Sequence, residues 1–159
     1  MICKSNFKLG AEFVAPVPES SNHFTSVFVF HRESRTIHLD DTIMYADNPG
    51  LLLKLAGFKH GSMAFHPAIK GPGLYPTPEA PYQFRDWVRS LLTAWDFDNI
   101  CTAHIGNKIG GAKAQLEETL NKAEPLFHKL SERNKKNGSR HVDDHSQPSV
   151  NNIEDHECG

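Results

Sequence analysis

Hydrophobic residues in the first part of the chain follow the pattern of β-strands. The segment Phe24–Phe30 (FTSVFVF) combines β-branched and aromatic residues, which suit a pleated surface. Its continuous apolar end, Val27–Phe30, predicts burial on both faces. After a polar turn at His31–Ser34, an extended pattern resumes over Arg35–Tyr45. The two segments together predict an antiparallel hairpin.

The second half of the chain shows helical spacing. Apolar residues within Phe84–Trp95 recur every three or four positions, after a helix-start signal at Thr77. A short predicted strand, Ile100–His104, follows this helix. A second helical stripe begins near Gly110, and Pro125 is expected to kink or end it. The order predicts a mixed α/β domain in which an antiparallel hairpin precedes a helix, a strand and a helix.

The middle and the end of the chain are less regular. Leu51–Ala56 predicts a helical turn and Ser62–His66 predicts a strand. Residues 133–159 contain few apolar side chains and many Asn, Ser, Asp, Glu and Lys, so we expect a disordered polar tail there. Residues 1–132 hold enough apolar residues for a packed core and are expected to form one domain.

The charge balance narrows the classes of partner. Lys and Arg total 17 and Asp and Glu total 19, which gives a net charge of −2. This near-balance argues against a strongly basic nucleic-acid binder and against a polybasic membrane anchor. No apolar run approaches the ~20 residues that span a bilayer. The three cysteines are too few for a disulfide framework, so a cytoplasmic location is expected.

The first candidate for chemistry is the run His38-Leu39-Asp40-Asp41-Thr42. Two adjacent carboxylates are costly to bury without a counter-charge, and carboxylate with imidazole suits zinc, manganese or iron. Strand alternation places His38 and Asp40 on one face and Asp41 on the other, unless the strand ends there. At most one of the two aspartates is therefore expected to bind a metal directly. A turn with exposed acidic residues explains the same pattern.

Two further histidines complete a candidate site. His104 ends a predicted strand and precedes a glycine-containing loop, which is where α/β folds place their sites. His23 precedes the first long strand, and the hairpin can bring it close to Asp41. The alternatives are a structural His104 that binds backbone groups and an exposed loop residue at His23. Cys101 is expected to be a small core residue.

Taken in order, these motifs resemble the C-terminal half of the metallo-β-lactamase superfamily. His23-Phe24-Thr25-Ser26 stands where that family often has His-Thr-Pro-Gly-Ser, Asp41-Thr42 where it has Asp-Thr, and His104-Ile105-Gly106 where it has His-Gly. The resemblance covers about Phe13–Leu130. It implies half of an αββα sandwich. Such a half leaves an apolar sheet face that must be buried. Three explanations are open: the sequence is a truncated or alternative product, it pairs with a partner chain or as a homodimer, or it has repacked as a minimal domain.

The resemblance also implies an activity, that of a zinc-dependent hydrolase acting on a small-molecule substrate. His23, Asp41 and His104 would be the metal ligands, while His38 and Asp40 would be outer or alternate ligands. Iron and manganese are alternatives to zinc. Neither a nucleic acid nor a membrane is expected as a partner.

Two alternatives remain open. The family's HxHxDH signature, which supplies most ligands of the first metal site, does not occur in this sequence. Its absence favours a catalytically inactive remnant that acts through protein–protein binding. The second alternative is an unrelated α/β binding module, in which the loop Gly71–Tyr75 and nearby aromatic residues line a ligand groove.

Overall fold

The structure is a computed structural model that describes residues 7–8, 12–13, 26–40, 42–55, 57–71, 73–103 and 106–138. Within these ranges the fold is mixed α/β, as the sequence predicts. The sequence also predicts a short strand at Phe13–Val17, cut off by Pro16 and Pro18, and most of it lies outside the described residues. So do the predicted site residues His23, Asp41 and His104.

Strands that are far apart in the sequence pair in one main sheet. The described residues form nine strands: β1 (Phe7–Lys8), β2 (Glu12–Phe13), β3 (Ser26–Val27), β4 (Val29–His31), β5 (Thr36–His38), β6 (Ile43–Ala46), β7 (Ser62–Phe65), β8 (Asn99–Cys101) and β9 (Asn107–Lys108). The main sheet has the order β1-β4-β5-β8-β9, while β2 pairs with β3 and β6 pairs with β7. All these pairs are antiparallel except β5 with β8, which is parallel.

Helices follow the strands along the chain. Their bounds are α1 (Leu51–Leu55), α2 (Ala80–Ala94), α3 (Ala112–Lys122) and α4 (Glu124–Gly138), with a 3₁₀ turn at Pro67–Lys70. The predicted helical turn and the predicted strand of the middle segment are confirmed by α1 and β7. The prediction that Pro125 ends a helix is also confirmed, because α3 stops at Lys122 and Pro125 lies in the first turn of α4.

The two faces of the main sheet differ in character. Phe30, Ile37 and Ile100 form one buried row across β4, β5 and β8. This row packs on the helices, and Phe30 stacks on Trp95 at the end of α2 with ring centroids 5.5 Å apart. Neighbouring positions point to the opposite face, where the described residues are Val29, His31, Thr36, His38, Asn99 and Cys101. That face is largely polar at these positions, and burial of an apolar sheet face by a partner chain stays a prediction.

Aromatic residues fill the centre of the core. The ring of Phe84, on α2, lies 5.4 Å from that of Phe65 and 6.2 Å from that of Phe127, measured between centroids. Val88 and Leu91 are also buried on the same helix, as the helical stripe predicts. Since Phe84 belongs to the core, it does not line a ligand groove, which weakens the alternative of an aromatic-lined binding module.

The predicted hairpin is confirmed by the antiparallel pair β4–β5, but its strands are shorter than expected. The extended pattern Arg35–Tyr45 is split, because β5 ends at His38 and the rest joins β7 in a separate sheet. Burial of Val27–Phe30 on both faces is wrong, since Val27 is 44% exposed while Phe28 is fully buried. Within this segment Phe28 and Phe30 are buried, while Val27 is exposed and Val29 is half-buried.

The boundary of the predicted tail is wrong by at least six residues. Residues 133–138 continue α4, and Asn134 is only 3% exposed. Its amide donates a hydrogen bond of 2.9 Å to the carbonyl of Thr77. Thr77 therefore accepts from α4, whereas the sequence predicts it as the cap of α2, which begins at Ala80. Composition does not reveal this docking, because the docking depends on a single buried amide. Residues 139–159 lie outside the described residues.

Candidate functional site

The parallel pairing of β5 with β8 places the carboxyl ends of both strands at the same edge of the main sheet. His38 is the partner of Cys101 in this register, and Leu39 continues the pairing with a 3.1 Å hydrogen bond to the Cys101 carbonyl. We call this region, which comprises residues 38–40, 42, 101–103 and 106, the β5–β8 edge. Edges of this kind are where α/β folds carry ligand sites.

Two of the five predicted site residues belong to the described part of this edge. His38 is exposed and Asp40 is half-buried. β5 ends at His38, so strand alternation does not extend to Asp40, and Asp41 lies outside the described residues. Among the described residues, no group of three or more His, Cys, Asp or Glu side chains could hold a metal ion.

Thr42 is a buried polar residue beside the predicted ligand Asp41 in the sequence. It is fully buried, and its hydroxyl group has no hydrogen-bond partner among the described residues. An unpaired buried hydroxyl is costly, so such a group is normally satisfied by a neighbour or by a bound group. By donor type, the imidazole and carboxylate groups of this edge fit zinc, manganese or iron.

The loop after β8 is closed at the same edge. The hydroxyl group of Thr102 donates a 2.7 Å hydrogen bond to the carbonyl of Gly106. Gly106 in turn packs on Asp47, which follows β6. Thr102 and Gly106 are therefore linked at the β5–β8 edge, and Gly106 is in turn in contact with Asp47.

The sequence offers no direct signal for the contact of Asp47 with His60. The His60 ring nitrogen Nδ1 donates to the Asp47 carbonyl and lies 4.0 Å from its carboxylate oxygen Oδ1. His66 plays a different part, because its Nδ1 accepts a 3.1 Å bond from the amide of Ala68 and so caps the 3₁₀ turn. Spacing alone does not separate these two histidines, since their partners come from different turns.

Cys101 lies on the largely polar face of the sheet. It is half-buried, so the expectation of a core residue is wrong, because the buried position of β8 is Ile100. His38 and Cys101 occupy paired positions on neighbouring strands, which are ~4.8 Å apart. An imidazole and a thiol thus share one face of the β5–β8 edge.

The strongest ionic cluster lies elsewhere, between α2 and α4. Arg85 donates to Asp86 at 2.8 Å and to Glu124 at 2.7 Å, and Arg89 contacts both acids. The hydrogen bond from Arg85 holds the pKa of the Asp86 carboxyl below its usual value, and the same bond raises the pKa of Arg85. This cluster joins two helices and presents no free acid or base, so it has the character of a structural network.

Comparisons of the chain with protein-family models, curated proteins and solved structures found no match. Among the helices of the described ranges, none has the length and apolar content that a membrane span requires. A function for this chain is therefore inferred from the residues of the β5–β8 edge themselves.

Proposed function

We propose that this chain is a metal-dependent, hydrolase-like domain of the metallo-β-lactamase superfamily, corresponding to half of its αββα sandwich. His23, Asp41 and His104 would hold the ion, and His38 and Asp40 would orient these ligands or replace one of them. Zinc is the first choice, with iron or manganese as alternatives. Such an ion lowers the pKa of a bound water and polarises the bond to be cleaved. A cytoplasmic location is part of the proposal.

The observation that carries the proposal is the parallel register of β5 and β8. His38 pairs with Cys101. In sequence, Asp41 follows the first of these partners by three positions, and His104 follows the second by three positions. Parallel strands in register direct the segments that follow them to one edge of a sheet. Under this proposal, Asp41 and His104 would meet at that edge.

The surroundings of this edge support the same proposal. Thr42 supplies a buried hydroxyl that can hold the Asp41 carboxylate in one orientation. The hydrogen bond from Thr102 to Gly106 joins the residues that precede and follow the segment 104–105 in sequence. In metal sites, groups around the ligands that fix their orientation strengthen metal binding. His38 is exposed on β5 at the same edge.

Metal content tests the proposal directly. The purified, tag-free protein is loaded with one equivalent of zinc, iron or manganese, dialysed and analysed for bound metal, and its solution mass is recorded on the same sample. The single variants Asp41→Ala and His104→Ala are expected to lose the ion. Matched controls are Asp96→Ala, whose carboxylate pairs with Arg35 at 3.0 Å, and His31→Ala, at the far end of the hairpin.

Retention of the ion by the two controls and its loss in both site variants would support the proposal. Unchanged metal content in Asp41→Ala and His104→Ala would remove these residues from any site. A folded protein that retains no ion after loading would contradict a metal-dependent activity of this chain.

The alternative is an inactive remnant that binds another protein, and one observation favours it. Leu51, Leu52 and Leu55, on α1, are 75%, 82% and 77% exposed. Contiguous exposed leucines are typical of interaction surfaces. A solution mass above that of the monomer, reduced to the monomer by Leu52→Ser, together with no bound metal, would favour this alternative. A monomer that holds zinc would argue against it.

A further inference from the structure

A cavity of about 660 Å³ lies beside the β6–β7 sheet, between β7, the 3₁₀ turn and the helices α3 and α4. Met63, Phe65, Ile69 and Leu126 supply its apolar lining. Ala123, at the break between α3 and α4, also lines it. Small-molecule sites typically have volumes of about 300–1,000 Å³ and predominantly apolar walls. The cavity therefore has the size and the lining of a ligand site.

The charged groups of this cavity are not balanced. Lys122 is neutralised by Glu118, with 2.6 Å between nitrogen and oxygen. Lys70 also lines the cavity, and its ammonium group makes no hydrogen bond or ion pair with any described residue. One lining cation thus remains uncompensated within the described part of the chain.

A second cation adjoins the first. Arg133 donates a 2.6 Å hydrogen bond to the backbone carbonyl of Lys70 and two 3.3 Å bonds to the side-chain oxygen of Asn134. Both acceptors are neutral, and no acidic residue of the described ranges pairs with Arg133. The positive potential of Lys70 is therefore reinforced at this end of the cavity.

We propose that this cavity binds a small amphipathic anion, namely a molecule with an unbranched apolar chain and one carboxylate or phosphate group that pairs with Lys70. The apolar chain gains free energy for each methylene group that leaves water. The exposed ion pair adds less, but it fixes which end of the ligand faces Lys70. This cavity and the proposed metal site share no residue, so binding in the cavity does not depend on a bound metal ion.

Calorimetric titration of the full chain tests this inference. The probes are sodium decanoate, decyl phosphate and decyltrimethylammonium, each below the concentration at which it forms micelles. The three share one apolar chain and differ in the head group, so they separate the contribution of charge from that of apolar burial. Comparison of decanoate with decyl phosphate decides which anionic group the site prefers.

Three variants locate the binding site. Lys70→Gln is expected to weaken the binding of both anions about fivefold, the upper range for an exposed ion pair. Ala123→Leu fills part of the cavity and is expected to weaken the binding of all probes. Lys54→Gln, on α1 and outside the cavity lining, is the matched control and should bind like the original protein. Because Lys70 is exposed, its substitution leaves the fold intact, which the melting temperature verifies.

Saturable binding of either anion, stronger than that of decyltrimethylammonium and weakened by Lys70→Gln, would support the inference. Binding of the cation as tightly as the anions, or equal losses in Lys70→Gln and Lys54→Gln, would overturn it. Absence of saturable binding for both anions would also overturn it. Metal analysis of the same samples keeps this outcome separate from that of the proposed metal site.

Discussion

Gly106 lies so close to Asp47 that a Cβ atom at position 106 would be 2.7 Å from the Cβ atom of Asp47. It would also be 3.3 Å from the backbone carbonyl oxygen of Tyr45. Only glycine permits this approach without a shift of the backbone. The contact joins the loop after β8 to the end of β6, and so it holds together two parts of the chain that surround the β5–β8 edge.

Substitution of Gly106 by alanine is therefore expected to destabilise the fold. The added methyl group overpacks the contact with Asp47, and overpacking typically costs about 1–3 kcal/mol. Urea denaturation measures the free energy of unfolding. Gly50→Ala is the matched control, since nothing lies within 4 Å of a Cβ atom at that position. Equal stabilities of the two variants would contradict the close approach at Gly106.

Removal of the central aromatic ring should have a larger effect. Phe84→Ala leaves a cavity between Phe65 and Phe127, and substitutions of this kind cost about 3–5 kcal/mol. Leu51→Ala, at a residue that is 75% exposed, is the control and should change the free energy of unfolding by less than about 0.5 kcal/mol. A loss below about 1 kcal/mol for Phe84→Ala would show that this ring does not occupy the core.

Asn134 is expected to stabilise the loop before α2. Its replacement by alanine removes the donor to the Thr77 carbonyl, and an unsatisfied buried acceptor costs about 1–3 kcal/mol. Asn121→Ala, at an exposed position of α3, should cause no loss. Truncation after Glu132 should destabilise the protein, whereas truncation after Gly138 keeps the Asn134 contact. Equal melting temperatures of the two truncated proteins would contradict this role.

Acid should weaken the link between α2 and α4. The pKa of Asp86 is lowered from 3.8, chiefly by the hydrogen bond from Arg85, so the folded state favours its charged form. This contribution to stability is complete above the unfolded pKa of 3.8 and is lost as the pH falls through the lowered folded pKa. The difference in unfolding free energy between the original protein and Asp86→Asn should therefore shrink on acidification. A difference that grows below pH 3.8 would contradict the assignment.

Local pattern predicts the elements of this fold better than it predicts their pairing. The stripe around Phe84 and the helix break at Pro125 are visible in the sequence because each depends on residues within one or two turns. The sequence does not show that Ile43–Ala46 pairs in a second sheet, because its partner strand β7 follows about 20 residues later. The docking of Asn134 is missed for the same reason.

The same difference between local patterns and contacts of distant residues applies to the candidate site. A carboxylate and an imidazole near two strand ends can be identified from the sequence, and the structure places these strands in parallel register. The approach of Gly106 to Asp47 cannot be inferred, because neither residue carries a local signal for the other. The cavity beside Lys70 is also invisible, since its walls come from β7, the 3₁₀ turn and two helices.

The parallel pair at the centre of the sheet has a kinetic consequence. Thr36 and Asn99, which pair across β5 and β8, are 63 positions apart, whereas β4 and β5 are joined by a short turn. Contacts between distant positions form slowly because a long loop must close first. During synthesis the hairpin can fold once His38 has left the ribosome, but the β5–β8 edge must wait for Cys101. The β5–β8 edge, where the metal ligands are proposed to lie, is therefore completed only after most of the chain has been made.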